Sequence, residues 1–125
     1  MKYLCLVYLD ENRLSELPDE DCVAFDEGIR KSGHCIASEA LQSVTSATTV
    51  RMRNGKMSIT DGPFAETKEQ LAGFYMIEAR DLNEAIQLAA KIPPARVGSI
   101  EVRPIRPIRE TVRETVAARA GAASK

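Results

Sequence analysis

Tryptophan is absent from this chain of 125 residues, which holds one histidine, three cysteines, three phenylalanines and three tyrosines. A Cys/His zinc site is therefore short of ligands. Cys5, Cys22 and Cys35 are odd in number and show no metal-type spacing, so no metal and no cofactor is expected. They read as reduced core thiols of a cytoplasmic protein, and nothing marks one as a nucleophile. No apolar run reaches the length that spans a bilayer, so no membrane partner is expected. The stretch Tyr3 to Leu9 is interrupted by tyrosines and followed by Asp10 and Glu11, with no small-residue cleavage pattern. It reads as a buried strand, not a targeting segment. A nucleophile elbow, a phosphate-cradling glycine loop and a dinucleotide fingerprint are also missing, which excludes several large enzyme classes. Excess charge is lacking too: the formal net charge is −1. Arg106, Arg109, Arg113, Arg119 and Lys125 gather in the tail, which leaves the body mildly acidic and argues against direct nucleic-acid binding.

What is present reads as one domain over residues 1–105, followed by a tail. Residues 2–9 carry apolar side chains on both faces, as a central strand covered on both sides does. Pro18 to Asp21 opens a helix with acid at its positive end. Cys22, Phe25 and Ile29 form its inner stripe, and Arg30, Lys31 and Gly33 close it. A second strand follows from about His34 to Leu41. Asn54-Gly55 predicts a two-residue hairpin turn, because both residues tolerate positive φ. That register opposes Met52 to Met57, Val50 to Ile59 and Arg51 to Ser58, with four apolar residues on one side. Gly73 to Ala79 reads as another strand with two apolar faces. Asp81 and Glu84 form a capping box. The helix they open is expected to bury Leu82, Ala85, Ile86 and Ala89, and to stop at Pro93-Pro94. A last strand around Ser99 to Arg103 turns Ile100 and Val102 inward.

The order is β-α-β, hairpin, β-α-β, an α+β fold of the ferredoxin-like split βαβ kind with an inserted hairpin. Two helices cover one face of such a sheet, yet two strands are apolar on both. A second copy packed sheet to sheet is the simplest cover, so a homodimer is expected. In the tail, 106–125, Ile108, Val112 and Val116 share a helical face. Two readings stand for it: a short helix clasping the partner, or a disordered end.

The run Asp61-Gly62-Pro63-Phe64-Ala65-Glu66-Thr67-Lys68-Glu69-Gln70-Leu71 resembles the signature of the DGPF-domain branch of the YCII-related family. The likeness continues through Gly73 to Leu82, Pro93, Ala95-Arg96 and Glu101 to Pro104, and upstream through Ala47 to Arg51. It covers roughly residues 1–105 and not the tail. The resemblance implies a dimeric α+β barrel. It also implies a small-molecule ligand, since one relative is a dehydrochlorinase using a His–Asp pair and muconolactone isomerases share the architecture. Proteins of the DGPF type tend to be encoded beside, or fused to, extracytoplasmic-function sigma factors, so a sigma factor is a further candidate partner. Relatives with the dyad carry a histidine in the first helical region. Residues 19–32 have none, and His34 follows them.

Two functions follow: a cofactor-independent lyase or isomerase moving a proton in a barrel cleft, or a ligand-binding regulatory module. Catalytic candidates are Asp61, His34 and Glu66. Asp61 reads either as the brace of a turn or as a carboxylate acting as general acid or base. His34 reads as a proton shuttle or as a half-buried strand end. Glu66 is a second carboxylate or part of a solvated loop. Tyr8, Arg51, Pro63, Phe64 and Tyr75 are candidate pocket residues. Arg51 suits an anion through its planar fork, or is simply an exposed strand cation.

Overall fold

The computed structural model describes residues 1–123. Lys125 and the side chains of Glu110 and Val112, which belong to the expected tail pattern, lie outside the described residues. Six strands form in chain order: β1 (Lys2–Leu9), β2 (Cys35–Ala40), β3 (Thr48–Arg53), β4 (Lys56–Asp61), β5 (Gln70–Glu78) and β6 (Ser99–Pro104). Three helices accompany them: α1 (Asp19–Lys31), α2 (Leu82–Ala89) and α3 (Ile108–Ala123). Four strands make an antiparallel sheet in the order β2-β5-β1-β6, and β3 and β4 form a separate two-stranded ribbon. With β5 inserted between β1 and β2, this is a ferredoxin-like α+β fold with a hairpin between its second and third sheet strands. Among the described residues, no helix is long and apolar enough to cross a membrane.

Alternation in β1 decides where the core sits. Tyr3, Cys5, Val7 and Leu9 are buried against Ile29 of α1, Ala85 and Ala89 of α2, and Ile77 of β5. Leu4, Leu6 and Tyr8 point to the opposite face, where β5 sets Met76 beside Leu4 and Phe74 beside Leu6. These residues are only half-buried, because neither α1 nor α2 reaches that side. Close approach at the β1 end requires Gly98: a Cβ there would stand 2.1 Å from the Tyr8 carbonyl oxygen.

α2 departs from the expected burial. Ala85 and Ala89 face the core, with Leu88 partly buried, whereas Leu82 and Ile86 are each 50% exposed. Two alanines let this short helix lie close to the sheet, and its larger aliphatic side chains turn away. Its cap differs in one detail. The Glu84 amide donates to Asp81 Oδ1 at 2.9 Å, but Glu84 Oε1 accepts from the amide of Arg80, one residue before the cap.

The ribbon forms as its turn demands. Asn54 (φ 53°) and Gly55 (φ 74°) hold the left-handed turn that suits strand twist. Met52 opposes Met57, Val50 opposes Ile59 and Arg51 opposes Ser58. The four apolar residues of this ribbon are 58% to 64% exposed, and it packs chiefly on itself. Tail residues 108–123 form α3, with Ile108 and Val116 exposed.

Candidate functional site

α1 crosses the sheet without covering all of β2, and the uncovered strip is a cleft of about 810 Å3. Its walls are largely apolar: Leu17 and Val23 on the helical side, Val7 and Ala72 on the sheet side. One turn of α1 and one residue of β2 supply its polar centre. Asp26 and Arg30 stand one helical turn apart, and Arg30 Nε donates to Asp26 Oδ2 at 2.9 Å. Ser38 ties this pair to the sheet. Its hydroxyl donates to Asp26 Oδ1 at 2.9 Å and accepts from Arg30 Nη2 at 2.7 Å. Both Asp26 oxygens are therefore engaged.

Beside Ser38 on the neighbouring strand stands Tyr75, the two being register partners. The Phe25 ring meets the Tyr75 ring edge-on, with centroids 5.3 Å apart and planes at 86°, which fixes its orientation. Burial, followed by the negative charge of Asp26, pushes the Tyr75 phenol up to about 12. The hydroxyl thus keeps its proton throughout the neutral range. It forms no hydrogen bond within the described residues, so an O–H donor is left for a guest. Cys22, also on the wall, is pushed up by burial and by Asp19 and Asp21, and it remains a neutral thiol. At the far end Glu11 holds the segment after β2 in place, accepting from the Val44 amide (2.8 Å) and the Ser43 hydroxyl (2.9 Å).

The residues singled out in the sequence lie mostly elsewhere. Tyr75 lines the cleft. His34 sits just before β2, with Nδ1 2.9 Å from Ser32 Oγ and Nε2 3.6 Å from Glu84 Oε1 at the start of α2. Asp61 ends β4, exposed, and its carboxylate makes no hydrogen bond within the described residues. The turn it enters is braced instead by backbone and hydroxyl: the Gly62 amide donates to Ala47 O (2.8 Å) and Thr49 Oγ1 donates to Gly62 O (2.9 Å). Glu66 is exposed in the loop before β5. Phe64 is 81% exposed, with the Arg51 guanidinium 5.9 Å from its ring centre, and Pro63 is half-buried beside it. Tyr8 lies on the half-buried sheet face that α1 and α2 leave open.

His34 and Asp61 do not meet within one chain. The His34 carbonyl accepts from Glu78 at one end of β5. Asp61 is tied through Ala47 and the Ser43–Glu11 contacts to the other end, where Leu9 pairs with Gln70. Strand geometry separates those ends by about 26 Å. Among the described residues, no group of three or more His, Cys, Asp or Glu side chains could hold a metal ion.

Asp26, Arg30 and Ser38 carry the polar chemistry of the cleft, and none stood out in the sequence. The opposite charges at positions 26 and 30 were a legible signal for a helical ion pair. The role of Ser38 was not legible, because an irregularity between Cys35 and Ala37 shifts the register of β2 on β5.

Residues 1–109 match the family model described as the YCII-related domain. An uncharacterized protein of Rhizobium meliloti (strain 1021) is 38% identical over 114 residues, covering 84% of this chain and 92% of that protein.

Proposed function

This chain belongs to the YCII-related family, and from that membership we propose that it works as a homodimer whose α1–sheet cleft binds a small molecule. Its Asp61-Gly62-Pro63-Phe64 run assigns it, in this reading, to the DGPF branch. The observation that carries the ligand proposal is the Tyr75 hydroxyl. It is a protonated donor with no partner among the described residues, standing on an apolar wall beside the Asp26–Arg30–Ser38 network. A mostly apolar cleft with few convergent polar groups is the usual form of a small-molecule site. Replacement of Tyr75 by Phe keeps the ring contact with Phe25 and removes only the donor. Fragments that shift cleft resonances in a protein NMR titration should bind this variant about two- to tenfold more weakly, the net worth of one hydrogen bond. Unchanged affinity across all binding fragments would remove Tyr75 from the site.

The dimer rests on a separate observation: the sheet face carrying Leu4, Leu6, Tyr8, Phe74 and Met76 has no covering layer among the described residues. A contiguous apolar face of this kind marks an interface, and a second copy packed sheet to sheet covers it under two-fold symmetry. Sedimentation equilibrium should give twice the protomer mass of 13.7 kDa. Leu6→Asp at the centre of the face should give the protomer mass. A monomeric wild type at micromolar concentration would contradict the proposal.

A second reading, cofactor-independent lyase or isomerase chemistry, is favoured by an acid and a base that line the same cleft. The Asp26 carboxylate would accept a proton from a C–H acid, while the Tyr75 O–H donates a hydrogen bond to the oxyanion that develops. To act, Asp26 must release the bond from Ser38 or Arg30 that now occupies the relevant oxygen. Binding is therefore the better-supported role. A regulatory module, with a sigma factor as the protein that responds to the occupied cleft, is the corresponding non-catalytic function, and co-purification with and without a cleft ligand tests it.

A further inference from the structure

The charge on the cleft narrows what it can hold, and this inference rests on the binding role proposed above. Five carboxylates line it, from Glu11, Asp19, Asp26, Glu27 and Glu39, against one guanidinium, that of Arg30. Arg30 donates from Nε to Asp26 and from Nη2 to Ser38, so its charge is already paired with a carboxylate. Glu11 accepts from Val44 and Ser43. Asp19, Glu27 and Glu39 have no hydrogen bond or ion pair from their side chains within the described residues. Together with Glu11 and Asp26 they outnumber the one guanidinium on the lining. The inner wall is formed by apolar side chains and one aromatic ring, that of Tyr75. Aromatic faces favour a cation and oppose an anion.

We propose that the ligand is an amphiphilic organic cation, an aromatic or branched aliphatic body carrying one ammonium group. The body fills the apolar floor and the ammonium sits toward the carboxylate rim. An anionic guest of the same size meets several like charges, against the Tyr75 hydroxyl and a guanidinium already paired with Asp26. Carboxylate and phosphate substrates are thereby selected against, since like-charge contact is an effective way to reject a partner of the right shape.

Three probes of matched shape test this: phenylbutylamine, phenylbutanol and phenylbutyrate, titrated calorimetrically into the full-length protein at neutral pH and low ionic strength. The amine should bind at least about tenfold more tightly than the carboxylate, with the alcohol between, as a few partly screened charges at short range require. Raising the salt should narrow the gap. So should the variant Asp19→Asn/Glu27→Gln/Glu39→Gln, whose lost carboxylates carry no ion pair and whose folding is checked by its thermal melt. A carboxylate that binds as tightly as the amine overturns the charge assignment, and so does a preference that survives in the triple variant. If amine and alcohol bind equally, the charge assignment fails while the cleft stands. If none of the three binds, the cleft reading falls with it.

Discussion

Two strand pairs in this protein carry the same kind of apolar pattern and meet opposite fates. In β1 and β5, Cys5, Val7 and Ile77 are at most 4% exposed. In the β3–β4 ribbon, Val50, Met52, Met57 and Ile59 lie on one side in perfect register and are more than half exposed. Local sequence explains both registers: Asn54-Gly55 sets the ribbon turn, and alternation sets the faces of β1. Burial has another origin, because it requires a second layer. α1 and α2 supply that layer to one face of the sheet, and nothing among the described residues supplies one to the ribbon or to the Leu6–Phe74 face. A two-stranded ribbon alone is only marginally stable in water, so in the proposed homodimer its apolar side is where a partner would contribute most.

The comparison breaks most sharply under truncation. Ile77→Ala opens a cavity in the closed core and should cost about 2–5 kcal/mol in urea unfolding. Ile59→Ala removes the same kind of group from an exposed position and should cost less than about 0.5 kcal/mol in dilute protein. If the Ile59 cost rises with protein concentration, the ribbon is part of the subunit interface. If the two costs are alike at every concentration, the contrast drawn here is false.

Alkaline pH sharpens the same contrast, since the two groups moved furthest belong to the sheet. Burial moves Cys5 from 9.0 to about 11, and burial with the charge of Asp26 moves Tyr75 from 10.0 to about 12. Both are neutral when protonated, and folding favours that form. Below pH 9 folded and unfolded chains hold these protons alike, and the contribution to stability is complete. Above it the unfolded chain releases them first, so stability should fall progressively between about pH 9 and pH 12. A Tyr75→Phe variant should lose less between pH 10 and pH 12. An equal loss would place the cause elsewhere.

Smaller effects separate caps from free carboxylates. Asp81→Ala removes the bond to the Glu84 amide and should cost about 1 kcal/mol. Asp61→Ala should change stability by less than about 0.5 kcal/mol, because that carboxylate holds nothing within the described residues. A cost near that of Asp81 would show that Asp61 does brace its turn after all.

Much of the fold was legible because it is written at short range. The ribbon register, the acidic start and glycine stop of α1, and the buried half of β1 each follow from a few adjacent residues. The orientation of α2 did not, since Leu82 and Ile86 outrank Ala85 and Ala89 in hydrophobicity, and only the closeness of the sheet reverses the order. The cleft was less legible still. It exists where α1 fails to cover β2, and the pairing of Ser38 with Tyr75 depends on a strand irregularity that no local pattern announces. Tyr75 was recognisable as a wall residue. Asp26 and Arg30 were visible only as a helical charge pair.

The two regions also compete as the place where a small molecule binds, and one titration decides between them. Amide chemical shifts of the labelled full-length protein would be followed during a fragment screen that includes phenylbutylamine. The expected result is a set of shifts around Val23, Asp26, Ser38, Leu41 and Tyr75, with Asp61 to Glu66 unmoved. Shifts gathered at Asp61 to Glu66 and Arg51, with the α1–β2 cleft silent, would contradict the assignment of the ligand site.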